Sequence, residues 1–222
     1  IAAGIWLLDD RRYYLVATAI LVYSLIPFGL VFERRRPPAR ELVILAVMTA
    51  IAVASRAAFF MLPHFKPMAA VVIITGAALG PEAGFLVGAM AAFTSNFLFG
   101  QGPWTPWQMF GFGVVGFAAG LVLRPGRLPP RPLPMALFGG LAVFAVYGPI
   151  VDTSALVTFY ARPTMELALA TYAAGVPVNL IHAGATVLFL LALARPMVLK
   201  LRRVQAKYGL ATRAEAADES AD

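Results

Sequence analysis

The sequence contains no cysteine and only two histidines, at positions 64 and 182. The lack of cysteine excludes disulfide bonds, thiolate catalysis and metal sites with thiolate ligands. Two histidines leave little for a metal site, because such sites combine several nitrogen, sulfur or carboxylate ligands. We therefore expect neither a metal ion nor a cofactor.

Charged residues are scarce as well. They make up 13% of the 222 residues, whereas 60% of the residues are hydrophobic and the mean hydropathy is +0.79. A soluble domain has roughly 25% charged residues, so this composition indicates an all-α integral membrane protein. The net charge of +7 comes from basic residues clustered at the ends of apolar runs. That arrangement favours a bilayer topology and argues against nucleic acid as a partner.

Motifs for chemistry are also missing. The sequence has no Gly-x-x-x-x-Gly-Lys-Ser/Thr phosphate loop, no apolar run with two acids, and no histidine pair at helical spacing. The missing phosphate loop is consistent with ATP hydrolysis by another protein, and an intramembrane enzyme is disfavoured because it needs paired acids or a nucleophile with a base. Three classes stay open: a binding module for transport, an intramembrane enzyme and a scaffold.

Apolar runs alternate with polar or proline-rich breaks along the chain. A helix needs about 20 apolar residues to span a bilayer, and a run of 12 reaches only about 18 Å. The runs are residues 13–32, 42–62, 68–79, 83–99, 109–123, 133–159 and 167–193, the third being the short one.

The chain divides into three parts by these runs. Residues 1–39 hold an extra transmembrane helix and a basic linker, and residues 1–8 resemble the end of an earlier apolar segment, which predicts a truncated start. Residues 40–199 form a six-helix membrane domain. Residues 200–222 are expected to be a disordered cytoplasmic tail.

Lysine and arginine lie mostly in alternate breaks. If residues 33–40 face the cytoplasm, 13 of the 18 basic residues lie inside, four lie outside, and Arg56 lies within a span. Cytoplasmic loops of membrane proteins carry this excess. Residues 63–67, 100–109 and 152–166 are then on the outer side, where they could converge over one cavity.

The outer segment 100–109 reads Gly-Gln-Gly-Pro-Trp-Thr-Pro-Trp-Gln-Met. Two prolines argue against a helix interior and predict a semi-rigid loop. Its indoles either lie at the membrane interface or cover a ligand. Two glutamines make it more polar than an interfacial belt requires, which favours the ligand cap.

Arg56 lies mid-span, where an unpaired guanidinium would cost about 2.5 kcal/mol or more. Asp152 is the expected partner, and contact with an anionic or carbonyl-bearing ligand is the alternative. Other polar groups in spans are usually satisfied by a neighbouring helix, but each is also a candidate. The candidate ligand contacts are Arg56, Phe60, Lys66, Asn96, Gln101, Trp104, Thr105, Trp107, Gln108, Asp152, Asn179 and His182.

Small residues recur every four positions in two places. The first set is glycine and predicts close helix packing; its members are Gly76, Gly80, Gly84, Gly88, Gly116 and Gly120. The second set, Ala46, Ala50 and Ala54, forms a flat stripe on one helix. Such a stripe can pack within the protein or against a partner chain.

Residues 73–117, IITGAALGPEAGFLVGAMAAFTSNFLFGQGPWTPWQMFGFGVVGF, together with the alanine stripe, resemble the substrate-binding S components of energy-coupling factor (ECF) vitamin transporters. The likeness covers residues 40–199. It implies a six-helix protein of a prokaryotic plasma membrane that binds a vitamin or related micronutrient from outside and works with an energising transmembrane subunit and two ABC-type ATPases.

The resemblance also implies roles for particular residues. In that family an Ala-x-x-x-Ala pattern contacts the energising subunit, which matches Ala46, Ala50 and Ala54. Ligands lie beneath outer loops, which correspond to residues 65–67 and 101–108. Within the family the nearest likeness is to cobalamin-type or unassigned S components, which predicts a cobalamin-like ligand. The extra helix over residues 13–32 is a departure from the six-span pattern.

Overall fold

The computed structural model describes residues 38–124, 127–160 and 163–208, together with positions 19, 22, 23, 26 and 30. Those five positions are helical and exposed. The rest of the predicted extra helix, the apolar residues before it, and residues 209–222 lie outside the described residues.

The described residues fold into helices joined by short connections, and no strand occurs among them. Five helical stretches are long and apolar enough to cross a membrane, and a sixth is short, so the predicted all-α fold with a six-helix core is confirmed. The helices are α1 (Ala39–Ala58), α2 (Met68–Leu79), α3 (Pro81–Phe99), α4 (Thr105–Val122), α5 (Pro132–Ala142), α6 (Gly148–Phe159) and α7 (Met165–Tyr208).

The short helix α2 lies at the centre of the protein. Ten of its 12 residues are buried, as expected for a helix that is hydrophobic on every side. Because other helices surround it, α2 does not need the length that contact with lipid would require. It ends at Gly80, whose φ of 99° suits glycine, and Pro81 begins α3.

Glycines bring α3 and α4 into backbone contact. A Cβ added to Gly84 would lie 2.3 Å from the carbonyl oxygen of Gly116, and one added to Gly88 would lie 2.5 Å from the carbonyl oxygen of Phe112. Gly76 of α2 approaches the same carbonyl of Gly116. The glycine spacing in the sequence therefore reflects a three-helix crossing that admits no side chain.

A π-helical turn, Val143–Tyr147, joins α5 to α6 without a break in the span. Such turns occur inside longer helices and are frequent at functional sites. Pro149 follows in the first turn of α6, where a proline is tolerated. The insertion changes the direction in which the side chains of this span point, including that of Tyr147.

The last helix is longer than the sequence predicted. α7 runs for 44 residues, continues through Pro177, and ends at Tyr208 rather than near residue 193. Residues 200–208 are therefore helical where a disordered tail was expected. The reason is a buried stripe that continues past the basic residues through Val198, Leu201 and Gln205.

The tryptophan-rich segment also differs from its prediction. The loop covers only residues 100–104, and α4 begins at Thr105, so Trp107, Gln108 and Met109 are helical. Pro106 is compatible with this because it lies in the first turn, where a backbone N–H has no intrahelical acceptor.

Candidate functional site

Arg56, near the end of α1, is bound by two side chains of α3. Its Nη1 donates hydrogen bonds to Ser95 Oγ and, over 2.8 Å, to Asn96 Oδ1. Ser95 and Asn96 are buried. Hydrogen bonds to a charged donor are stronger than neutral ones, so these contacts fix the end of α1 against α3.

The predicted pair between Arg56 and Asp152 is wrong. Asp152 Oδ2 instead accepts a hydrogen bond of 2.8 Å from Asn179 Nδ2. The prediction paired these two residues only because their charges are opposite and their expected depths in the membrane are similar. The guanidinium is satisfied by neutral oxygens of the neighbouring helix, which the sequence shows only as Ser95 and Asn96 in an apolar run.

Asn96 connects α3 to the start of α4. Its Nδ2 donates to Thr105 Oγ1 over 3.0 Å and to Gln108 Oε1 over 2.9 Å. Thr105 Oγ1 in turn donates to Gln101 Oε1 over 2.9 Å, and Gln101 Nε2 donates to the carbonyl of Phe93 over 3.1 Å. Four candidate residues of the sequence thus form one network, which holds the tryptophan loop in place.

Lys66 belongs to the connection between α1 and α2. Its Nζ donates to the carbonyls of Phe59 and Phe60 at the end of α1, the second over 3.1 Å. Both carbonyls lie just past the last residue of α1, where intrahelical donors are lacking, and the Phe59 carbonyl also accepts from the Leu62 N–H over 3.1 Å. A cation at this end also complements the helix dipole. Burial lowers the pKa of Lys66, and the positive charge of Arg56 lowers it further.

Aromatic contacts anchor this connection on other helices. The Phe60 and Phe99 ring centroids are 5.4 Å apart, which joins the connection to the end of α3. The rings of Phe59 and Phe65 lie 5.0 Å and 5.6 Å from that of Phe189 on α7. Distances of this size are typical of stabilising aromatic pairs.

A second cluster joins α4, the π-helical turn and α7. The Tyr147 ring lies 4.2 Å from Phe112 and 5.2 Å from His182, and the contact with His182 is edge-to-face. Gly111 makes this possible, because a Cβ there would lie 2.9 Å from the Tyr147 ring. His182 lies about two turns before Phe189 on α7, and Phe189 is the ring that Phe59 and Phe65 contact. The two clusters therefore adjoin along α7 and form one region.

Asp152 and Asn179 extend this region along α6 and α7. Glycines make room for them: a Cβ on Gly148 would lie 2.6 Å from the Asn179 amide carbon, and one on Gly175 would lie 2.4 Å from Asp152 Oδ2. Gly148 directly follows Tyr147, so the carboxylate–amide pair adjoins the second cluster. The candidate residues from α6 and α7 thus meet each other rather than Arg56.

Two buried polar atoms have no hydrogen-bond partner among the described residues, Trp107 Nε1 and Thr158 Oγ1. Trp107 lies in the first turns of α4 and Thr158 near the end of α6. Leaving a buried donor unsatisfied costs about 1–3 kcal/mol, so each marks a position where a ligand atom would be stabilising. The Trp104 ring instead packs over Gly102 of its own loop.

Sequence reasoning missed several residues of this region, and they are Ser95, Phe112, Tyr147, Thr158 and Phe189. Single aromatic or hydroxyl residues are common in membrane helices and carry no pattern of their own. Tyr147 offered a weak signal, because it is followed by Gly148-Pro149 inside an apolar run. The π-helical turn that orients it is not readable from the sequence.

The alanine stripe lies elsewhere. Ala46, Ala50 and Ala54 are exposed on α1 and line an apolar groove of about 630 Å³ between α1 and α3. Met90 and Leu98 of α3 form its other wall. This groove has the apolar lining that suits a helix or a lipid chain, whereas the hydrogen-bonding groups that a vitamin needs lie in the two clusters.

Comparison with known proteins gives a consistent result. The family model described as ECF-type riboflavin transporter, S component, matches residues 38–199. A UPF0397 protein of Vibrio atlanticus (strain LGP32) is 32% identical over 120 residues, which is 51% of this chain and 65% of that protein. The chain therefore spans slightly less than two thirds of this relative. No solved structure matches the chain.

The family match covers every helix from α1 to α7 except the last residues of α7. It agrees with the five membrane-crossing stretches and the short central helix. The chain therefore belongs to the S components of energy-coupling factor transporters, and it is a multi-pass protein of the plasma membrane.

Proposed function

We propose that this chain captures a vitamin-sized micronutrient between the outer parts of α1, α3, α4, α6 and α7 and delivers it inward. The observation that supports this most directly is the pair of adjoining clusters around Arg56 and His182. They combine aromatic rings with hydrogen-bond donors, as ligand sites do, and the two unpartnered buried atoms lie on α4 and α6, two of the helices named here. The polar network below the tryptophan loop holds this side of the site in shape.

The proposed ligand is riboflavin or a compound of similar size and aromatic character. The matching family model is described for riboflavin transporters. Rings such as those of Phe112 and Tyr147 stack well on a planar heterocycle, and Trp107 Nε1 can donate to a carbonyl oxygen. The cobalamin-like ligand predicted from the sequence gains no support from this match, and we propose the smaller ligand.

The partners in this proposal are an energising transmembrane subunit and two ABC-type ATPases. We place the energising subunit on the groove between α1 and α3. The exposed alanines of α1 permit close approach of a second helix, and the lining of the groove is apolar apart from Thr49 and Thr94. ATP hydrolysis belongs to the partners, since the sequence of this chain has no phosphate loop.

Binding is tested with the chain purified in detergent. Quenching of flavin fluorescence on titration would give the affinity for riboflavin, and mass spectrometry of the purified sample would identify any ligand carried through. Saturable quenching with a 1:1 stoichiometry supports the proposal. No quenching together with a copurified corrinoid would reverse the choice of ligand, and no ligand of either kind would count against this site.

Transport is tested in cells that lack their own riboflavin uptake. We expect uptake only when the chain is coexpressed with an energising subunit and ATPases, and only while the ATPases are active. Uptake by the chain alone, or ATP hydrolysis by the purified chain, would contradict the division of roles proposed here.

A further inference from the structure

Two cations lie beside the same phenyl ring at the ends of α1 and α3. The guanidinium carbon of Arg56 is 4.4 Å from the Phe99 ring centroid, and Lys66 Nζ is 5.5 Å from it. An aromatic face attracts cations but does not neutralise them. Like charges held this close repel each other, so the arrangement favours an anion nearby.

No carboxylate of the described residues supplies that anion. Arg56 donates to Ser95 and Asn96, and Lys66 donates to two backbone carbonyls. Asp152, the acid expected beside Arg56, is bonded to Asn179. The two positive charges are therefore held by neutral oxygens and a ring, and their charge is not compensated within this part of the protein.

Both cations keep donors that these contacts do not use. The two hydrogen bonds of Arg56 start from Nη1, and no described residue accepts a bond from Nη2 or Nε. Lys66 has three ammonium hydrogens and two carbonyl acceptors. The charge of Arg56 also lowers the pKa of Lys66, as expected for like charges beside one ring, and an anion between them would stabilise both charges.

We propose that Arg56 and Lys66 together bind an anionic oxygen group, a phosphate or a carboxylate, beside the Phe99 ring. Arginine suits such groups because its Nε and Nη2 can donate to two oxygens at once. If the anionic group belongs to the transported compound, this inference rests on the proposed function. An anionic lipid headgroup has the same chemistry, and the experiment distinguishes the two sources.

The test compares riboflavin with riboflavin 5′-phosphate on the purified full chain at matched ionic strength. We expect the phosphate ester to bind about tenfold more tightly, which is the effect of one good charge-assisted contact. Lys66→Gln keeps a donor for the carbonyls of α1 but removes the charge, so the preference should disappear. Lys66→Arg should keep it. Arg131→Gln, in the exposed inner linker, serves as the control with no expected effect.

The preference should also depend on pH in a defined direction. The lowered pKa of Lys66 means that its charge is lost at a lower pH than for an ordinary lysine. Rising pH should therefore weaken binding of the phosphate ester to the wild type, while Lys66→Arg keeps its preference. The role of Lys66 is refuted if Lys66→Gln still prefers the phosphate ester to riboflavin, or if the preference of the wild type increases with pH.

The outcomes separate this inference from the proposed function. If riboflavin binds and the ester has no advantage, the anion does not belong to the transported compound, and the transport proposal stands. If neither flavin binds, the flavin assignment fails, and inorganic phosphate becomes the probe: a higher Tm of the wild type but not of Lys66→Gln supports the anion site.

The lipid source is tested in nanodiscs with and without phosphatidylglycerol. Stabilisation of the wild type by that lipid, absent in Lys66→Gln, assigns the anion to a headgroup and supports the site. If neither lipid nor soluble phosphate distinguishes the wild type from Lys66→Gln, the two cations bind no anion and the inference is refuted.

Discussion

The contact between Gly84 and Gly116 gives the sharpest prediction of stability. A Cβ in Gly116→Ala would lie 2.2 Å from the Gly84 carbonyl oxygen and 2.8 Å from Val72 Cγ1. The first distance is about 1.2 Å below ordinary contact, which begins at 3.4 Å. Because the two nearest atoms belong to the backbone of Gly84, no rotamer change relieves the overlap, and α3 and α4 must separate.

Overpacking of this kind costs about 1–3 kcal/mol, and the better helix propensity of alanine returns up to about 1 kcal/mol. The overlap is with backbone, so the upper end of the overpacking cost applies, and we expect a net loss of about 2 kcal/mol. This corresponds to a Tm lower by about 4–8 °C for a chain of this size. The assay is thermal unfolding of the purified protein followed by tryptophan fluorescence.

Gly184→Ala is the matched control, because a Cβ there would meet no atom within 4 Å. Its Tm should equal that of the wild type or exceed it by up to about 4 °C, since alanine favours the helix. If Gly116→Ala and Gly184→Ala unfold within 1 °C of each other, the crossing is not as tight as described, and the reasoning from Cβ distances is refuted.

Other predictions concern the site and the groove. Trp107→Phe keeps a ring but removes the unpartnered N–H, so ligand affinity should fall about three- to tenfold, while the Tm without ligand stays equal or rises. Trp104→Phe should change ligand affinity by less than twofold. Equal losses of affinity in the two variants would mean that both indoles contact the ligand. Ala50→Trp should abolish copurification with the energising subunit by filling the groove, whereas Leu141→Trp, on an exposed face of α5, should copurify normally. Normal yield with Ala50→Trp would remove the groove as the interface.

The architecture was predictable because it depends on local quantities. Run lengths and the charges between runs determine which segments span a bilayer, and the predicted short span over residues 68–79 matches α2 residue for residue. The glycine repeat was also informative, since a four-residue spacing fixes which face is small. Both signals lie within a single helix and need no knowledge of its neighbours.

The details of the site were less predictable because they depend on pairing between distant segments. The contact of Arg56 with Asn96 joins residues 40 positions apart, and several polar residues of the sequence could have taken that place. The predicted start of α4 is wrong for a local reason. Proline breaks a helix interior, but Pro106 occupies the first turn of α4, where proline is tolerated. The continuation of α7 beyond residue 193 was not predicted, because the charged residues there end the apolar run although they lie on exposed faces of the helix.

The crossing of α2, α3 and α4 has a mechanical consequence. Helices that touch through backbone atoms have no intervening side chains whose rotamers could change, so they move as one rigid body. Entry and exit of a ligand must then depend on the elements outside this body, and those that border the proposed site are α1, the connection 59–67, α6 and α7. Motion at those elements, observed by hydrogen exchange or spin labels, would reveal how the binding site opens.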